Sequence, residues 1–289
     1  MKVFLTGGSG YIGQVVIEAL VRHGHEVTAL ARSDRAVETV TALGAKAVVG
    51  ELTDLDVLRE GAAGADGVLH LGASYERSAE IDRDAADALL TGLDGRGPYV
   101  HTGGVWVYGD TDGVVDEDAA KNPPEITAWR LENEARVLET AARGWHPVVV
   151  MPALVYGRSG GLIETFFVEP ARSNGAVALV GDGSNHTTLV HVDDLAELYV
   201  LALEKAPAGA VYVAVAENRT FAELAPALAE AAGHPGQIRH LEAAEAHEQM
   251  GPIAGAYVLD QQLTSDRARR ELGWEPRHLD APAALAAGR

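Results

Sequence analysis

The 289-residue chain has no cysteine. That removes disulfides, thiolate zinc sites and a cysteine nucleophile from consideration. Positive charge is scarce: 23 Lys and Arg face 42 Asp and Glu, for a net charge of −19, and lysine occurs only at Lys2, Lys46, Lys121 and Lys205. Such a chain repels phosphate backbones and anionic lipid, so neither nucleic acid nor a membrane is expected as partner, and a small molecule is. No apolar run approaches the roughly 20 residues of a membrane span. MKVFLT leads straight into a glycine loop, which leaves no room for a signal peptide and makes a cytoplasmic protein the expectation. The histidines do not fall at H-E-x-x-H spacing and there is no G-x-S-x-G elbow, so neither a metal site nor Ser-His-Asp catalysis is expected.

What is present is apolar and periodic. Hydrophobic residues make up 47% of the chain, enough for a sizeable core. KVFLT, EVTAL, KAVVG, GVLHL, PYVHT and HPVVVM read as buried strands. They alternate with helical patterns, among them YIGQVVIEALVRHG and ITAWRLENEARVLETAAR. Strand and helix in alternation predict an α/β fold, a doubly wound parallel sheet with right-handed crossovers. After Met151 the rhythm loosens, which predicts a smaller C-terminal lobe interleaved with the first domain. The division expected is a dinucleotide-binding domain over 1–153 and about 187–217, and a substrate lobe over about 154–186 and 218–289.

TGGSGYIG follows the first strand and opens the first helix, with Gly7, Gly10 and Gly13 at G-x-x-G-x-x-G spacing. Glycines there let a pyrophosphate approach the backbone, and the helix N-terminus at Tyr11 and Ile12 supplies amide donors. An acid at the end of the second strand would bind the ribose of NAD. The chain instead reads LARSD, with Ala31 in that place, then Arg32 and Ser33. A small residue followed by a guanidinium suits a 2′-phosphate, so NADP(H) is expected over NAD(H); the competing reading is a solvated arginine. Asp54, followed by Leu55 in GELTDLD, is placed to reach the adenine, and is equally a helix N-cap. A pocket is expected beyond the carboxyl ends of the strands, near Tyr75, Trp106, Tyr108, Trp129, Tyr156, Phe166, Phe167 and His186.

TGGSGYIG, LTDLD, LHLGAS, YVHTGGVWVYG, MPALVYG, GDGSNHTTLVHVDDLA and ELGWEP run in this order along nearly the whole chain. Together they resemble a short-chain dehydrogenase/reductase of the extended, NAD-dependent epimerase/dehydratase type. The resemblance implies a Rossmann domain for the dinucleotide and a C-terminal lobe for the substrate. It adds Leu71, Gly72, Ala73 and Thr102 to the cofactor-binding candidates. It also implies a Tyr-x-x-x-Lys pair after the fifth strand, in which the phenol moves a proton and the Lys lowers its pKa. Here Ile126 falls in the Tyr slot and Arg130 in the Lys slot, and Gly104 occupies the slot of the supporting serine. Arg130 remains able to bind ribose; Ile126, with Gly104 and Trp129, becomes pocket wall. Thr187 stands where nucleotide-sugar enzymes of the family carry a diphosphate-gripping Arg, which turns the expectation towards a small, weakly charged substrate.

Tyr108 and His186 are the side chains left as proton donors, while His191 looks structural. Three functions compete. The first is an NADP(H)-dependent oxidoreductase acting on a carbonyl, C=C or C=N bond with nonstandard proton delivery. The second is an isomerase or lyase using the dinucleotide transiently or structurally, and the third is a noncatalytic dinucleotide sensor. The stripe Ala128, Leu131, Ala135, Leu138 and Ala141 either covers the sheet or pairs with its copy in a homodimer.

Overall fold

The chain opens with β1 (Lys2–Thr6), α1 (Tyr11–Arg22), β2 (Glu26–Ala31), α2 (Asp34–Ala42), β3 (Lys46–Val49), α3 (Leu55–Ala63), β4 (Gly67–His70), α4 (Ser78–Leu93) and β5 (Pro98–Thr102) in the computed structural model, which describes residues 1–74 and 77–288. A two-residue strand β6 (Val114–Val115), α5 (Glu125–Ala128), α6 (Arg130–Glu139) and β7 (His146–Pro152) follow. Then come β8 (Leu154–Tyr156), β9 (Val177–Val180), β10 (His186–His191), β11 (Ala210–Ala214), β12 (Glu217–Thr220), β13 (Ile238–Leu241) and β14 (Gln262–Leu263).

Seven strands form one parallel sheet in the order β11-β7-β5-β4-β1-β2-β3. The order turns at β1, where chain progress goes one way to β3 and the other way to β11, so a cleft opens at the carboxyl ends of β1 and β4. Continuous apolar runs make the central strands because both faces are covered: Val3, Phe4 and Leu5 are buried, as are Val148 to Met151. This is the doubly wound α/β Rossmann architecture.

A second core gathers Tyr156, Phe167, Leu179, Phe221, Leu228 and Tyr257 into the smaller lobe. β10 joins the small sheet β12-β10-β8, not the large one. Leu263, Ala268, Leu272 and Trp274 return to the first core, where the Trp274 indole donates to the Asp194 carbonyl at 2.8 Å. Among the described residues no helix is long and apolar enough to cross a membrane.

The ITAWR segment does not start one continuous helix. It breaks at Trp129, between α5 and α6. The indole Nε1 donates to the Ile126 carbonyl at 3.1 Å, the acceptor that the Arg130 amide takes in an unbroken helix. α6 turns Asn133, Glu134 and Val137 inward, while Ala128 and Ala135 are exposed and Leu131 and Leu138 half-buried. Ala128 and Ala135 of the stripe therefore face outward, while Leu131 and Leu138 pack on the first core.

Candidate active site

The glycine loop between β1 and α1 leaves no room for side chains. Gly7 has φ +76°, and a Cβ on it would lie 2.6 Å from the Leu71 carbonyl carbon. One on Gly13 would lie 2.1 Å from the Gly7 oxygen. Gly10 precedes α1 without any side-chain cap, so the amides of Tyr11, Ile12 and Gly13 open the helix with no intrahelical acceptor. Donors and helix dipole together make an anion site. The Tyr11 hydroxyl is committed elsewhere, donating to the Gly157 carbonyl at 2.7 Å, so what Tyr11 can give a ligand is its backbone amide.

At the end of β2, Ala31 is buried and Arg32 exposed, with no ion pair among the described residues. Ser33 caps α2 by accepting from the Ala36 amide at 3.3 Å. Asp54 precedes α3 without capping it; its Oδ2 accepts from the Glu51 amide at 2.8 Å and closes that turn, and Leu55 begins the helix. Across the cleft, Leu71, Gly72 and Ala73 follow β4, and the Gly72 amide donates to the Thr6 hydroxyl at 3.1 Å. The loop after β4 is thereby pinned against the glycine loop.

Thr102 and Arg130 meet, though not through the threonine hydroxyl. That hydroxyl pairs with the Tyr199 hydroxyl at 2.8 Å, on the helix Val192–Lys205, and is turned away from a ligand. Its carbonyl accepts from Arg130 Nη1 at 3.1 Å, and the guanidinium lies 4.6 Å from the Trp129 ring centroid. Ile126 is half-buried one turn earlier. Gly104 has extended backbone, and a Cβ on it would meet nothing within 4 Å, so its serine slot is vacant without being closed.

Beside this group stands a pair that the sequence pattern did not single out. Glu134, one helical turn after Arg130, is 2% exposed, and neither of its carboxylate oxygens has a hydrogen-bond partner. Burial pushes its carboxyl up to about 7, although Lys121 and Arg130 pull the other way. Lys121 Nζ lies 3.6 Å from Glu134 Oε2 and 5.7 Å from the Tyr108 ring centroid. Lys121 sits in an unpatterned loop, and no spacing rule marks it.

Two of the pocket expectations are corrected. Tyr108 is 1% exposed and its hydroxyl donates to the Glu117 carbonyl at 3.1 Å, so it belongs to the core and is not offered to a substrate. Tyr156 is fully buried in the second core, edge-on to His191. His186 opens β10 with Nδ1 2.8 Å from Asp260 Oδ1, and among the described residues no contact joins it to Arg130, Thr102 or the glycine loop. His191 accepts from the Asp193 amide as a helix cap. Trp106 and Phe166 do converge, each within 6 Å of the Tyr257 ring centroid, while Phe167 is buried behind them. Tyr257 was not visible in the sequence pattern: it is buried, and its hydroxyl has no partner. Tyr75 lies outside the described residues.

A family model described as the NAD dependent epimerase/dehydratase family matches residues 3–214. An uncharacterized protein of Saccharomyces cerevisiae is 34% identical over 289 residues, covering 96% of each chain. The 4-hydroxy-2-methyl-3-oxo-4-farnesyl-3,4-dihydroquinoline-1-oxide ketoreductase of Stigmatella aurantiaca is 31% identical over 313 residues, covering 96% of this chain and 92% of the relative. Among solved structures, a dTDP-glucose 4,6-dehydratase from Streptomyces venezuelae with NAD bound has a TM-score of 0.83 at 23% identity, covering 100% of this chain and 95% of that one. That likeness speaks for the fold.

Proposed function

The chain belongs to the NAD dependent epimerase/dehydratase family, and on that premise we propose that it is an NADP(H)-dependent oxidoreductase acting on a small, weakly charged organic substrate, reducing a ketone in preference to a C=C or C=N bond. One observation carries the reading. The glycine loop has no room for side chains, and Arg130, in the sequence slot of the family lysine, is held by the Thr102 carbonyl. The ketoreductase relative supports a ketone as the acceptor.

The substrate side supports low charge. Thr187 is buried in β10, and its cross-strand neighbour Arg219 is bound to Glu217 at 2.8 Å, so neither offers a diphosphate a free cation. Trp106 and Phe166 supply half-buried aromatic walls, with Tyr257 buried behind them. NADPH, when bound, supplies the hydride. Arg130 would hold it through a ribose hydroxyl and is too basic to move the proton. With the Tyr108 hydroxyl bonded to backbone and His186 out of contact with Arg130 and Thr102, Glu134 holds the proton that the ketone oxygen takes up, and water beside Lys121 would restore it.

The test is NADPH oxidation across a panel of ketones, enones and imines. Ketone-dependent turnover is the expected result. Tight NADPH binding without turnover on any of them would transfer the chain to the sensor reading. Two substitutions check the assignments. Tyr108→Phe removes a hydroxyl bonded to backbone, so it should lower stability by about 1 kcal/mol and leave turnover unchanged within error. Ile126→Val should cost about 1 kcal/mol of packing and likewise spare turnover. A collapse of turnover in either folded variant contradicts the site as drawn.

Ala128 and Ala135, exposed on α5 and α6, support a homodimer as a second element of this proposal. Arg136 binds Asp87 at 2.7 Å and joins α6 to α4 in one face. Light scattering should give twice the 30.4 kDa chain mass, and Ala135→Glu should halve it. A wild-type monomer at micromolar concentration sinks the dimer.

A further inference from the structure

Directly beneath the cofactor loops lies a cluster that the reading above does not use. His70 ends β4, His101 is its register partner on β5, and Asp82 reaches them from α4. All three are buried, at 1%, 1% and 8% exposure. We propose that His70, Asp82 and His101 form a site for a divalent transition-metal ion of the zinc class.

The spacing of the inner atoms carries the argument. His70 Nε2 lies 3.5 Å from Asp82 Oδ1, and His101 Nε2 lies 3.6 Å from Asp82 Oδ2. Both rings make hydrogen bonds of ordinary length on their far sides, and the carboxylate makes one beside His101. His70 Nδ1 is 2.7 Å from the Thr6 hydroxyl, His101 Nδ1 is 3.1 Å from the Tyr99 hydroxyl, and Asn133 Nδ2 donates to Asp82 Oδ2 at 2.8 Å. A carboxylate bonded directly to an imidazole N–H would close to about 2.7–2.9 Å. Nitrogen and oxygen ligands about 2.0–2.1 Å from a tetrahedral ion stand about 3.3–3.5 Å apart, close to the distance of each ring nitrogen from its facing carboxylate oxygen, and one donor atom of each of the three residues lies within 4.8 Å of the others. His70 Nε2 is also a buried nitrogen without a hydrogen-bond partner.

The donor set suits the ion. Two imidazoles and one carboxylate bind zinc, cobalt, nickel and copper and are poor calcium or magnesium ligands. Thr6, Tyr99 and Asn133 are the outer partners that fix ring orientation in such sites. The other convergence of histidines and acid, His191, Asp193 and His278, lacks these features. Its rings stack face to face at 3.8 Å and Asp193 is bound to Arg158 at 2.6 Å.

An ion here would tie α4 to the ends of β4 and β5. Thr6 also holds the Gly72 amide, and His101 precedes Thr102, so metal and cofactor binding should reinforce each other. Tag-free full-length chain is unfolded with chelator and refolded with Zn²⁺, with Co²⁺ or with neither. After desalting, metal content is read by elemental analysis, cobalt geometry by absorption and stability by thermal melting. The expected result is about one ion per chain, a tetrahedral cobalt spectrum and a higher melting temperature with metal. Asp82→Asn should retain no metal. Tyr99→Phe removes only the hydroxyl on His101 and should weaken metal binding about 10- to 100-fold. Wild-type chain that retains only background metal overturns the proposal, as does a full equivalent in Asp82→Asn. If Asp82→Asn does not fold, unchanged metal affinity in Tyr99→Phe overturns it. Failure of this site with NADPH turnover intact leaves the reductase reading standing.

Discussion

Arg32→Ala should weaken NADP(H) binding by about 1.5–3 kcal/mol, roughly 10- to 150-fold, and leave NAD(H) nearly unchanged. The reason is where Arg32 stands and what it lacks. It follows the last residue of β2, near the glycine loop whose amides open α1 without a side-chain cap. It is exposed and has no carboxylate partner among the described residues, so no existing ion pair must break before it meets a 2′-phosphate. Ala31 puts no negative charge in the way. Ser33 caps α2 through its acceptor lone pair, which leaves the hydroxyl hydrogen for the same phosphate. Fluorescence titration of both cofactors against wild type and variant measures the effect. Equal wild-type affinity for the two cofactors, or an equal loss for both in the variant, would return Arg32 to the status of a solvated surface residue.

The parts of the molecule that could be read from its sequence share a physical cause. β1, β4 and β7 are covered on both faces, so they appear as unbroken apolar runs, and the strand-helix alternation that follows has few solutions. The glycine loop is legible for the same kind of reason: Gly7 and Gly13 are backbone contacts that no side chain could share.

What escaped the reading depends on partners remote in sequence. Thr102, Tyr108 and Tyr156 have the right chemistry and the right order. Their hydroxyls are nonetheless spent on the Tyr199 hydroxyl, the Glu117 carbonyl and the His278 carbonyl. Residue type announces a hydroxyl; only the fold says whether it is free. Glu134 looks like one more acid on an acidic helix pattern, and its burial follows from α6 leaning on the end of β5, where a Cβ on Gly103 would come within 2.6 Å of its Oε1. His70, Asp82 and His101 come from three separate elements, so no local spacing links them.

Glu134→Gln should make the chain more stable above neutral pH, by up to about 3 kcal/mol, and leave stability unchanged in acid. Burial pushes the Glu134 carboxyl up from 4.5 to about 7 in the folded chain. Below about 4.5 folded and unfolded chains both hold the proton, and ionisation costs nothing. Between 4.5 and about 7 the unfolded chain releases the proton while the folded chain keeps it, so stability falls as pH rises. Above about 7 the folded chain carries a buried carboxylate whose oxygens accept no hydrogen bond, and the whole penalty is present. Glutamine cannot ionise, so the difference between variant and wild type should grow across this window. Denaturant unfolding at pH 5 and pH 8 reads that difference directly, and a difference independent of pH would show that Glu134 is not held protonated. Turnover should move the opposite way. If Glu134 holds the proton for reduction, the wild-type rate falls as pH rises through about 7, whereas Glu134→Gln is slow and flat across the same range. A stabilised variant that keeps the wild-type pH–rate profile would confirm the buried acid and remove it from the reaction.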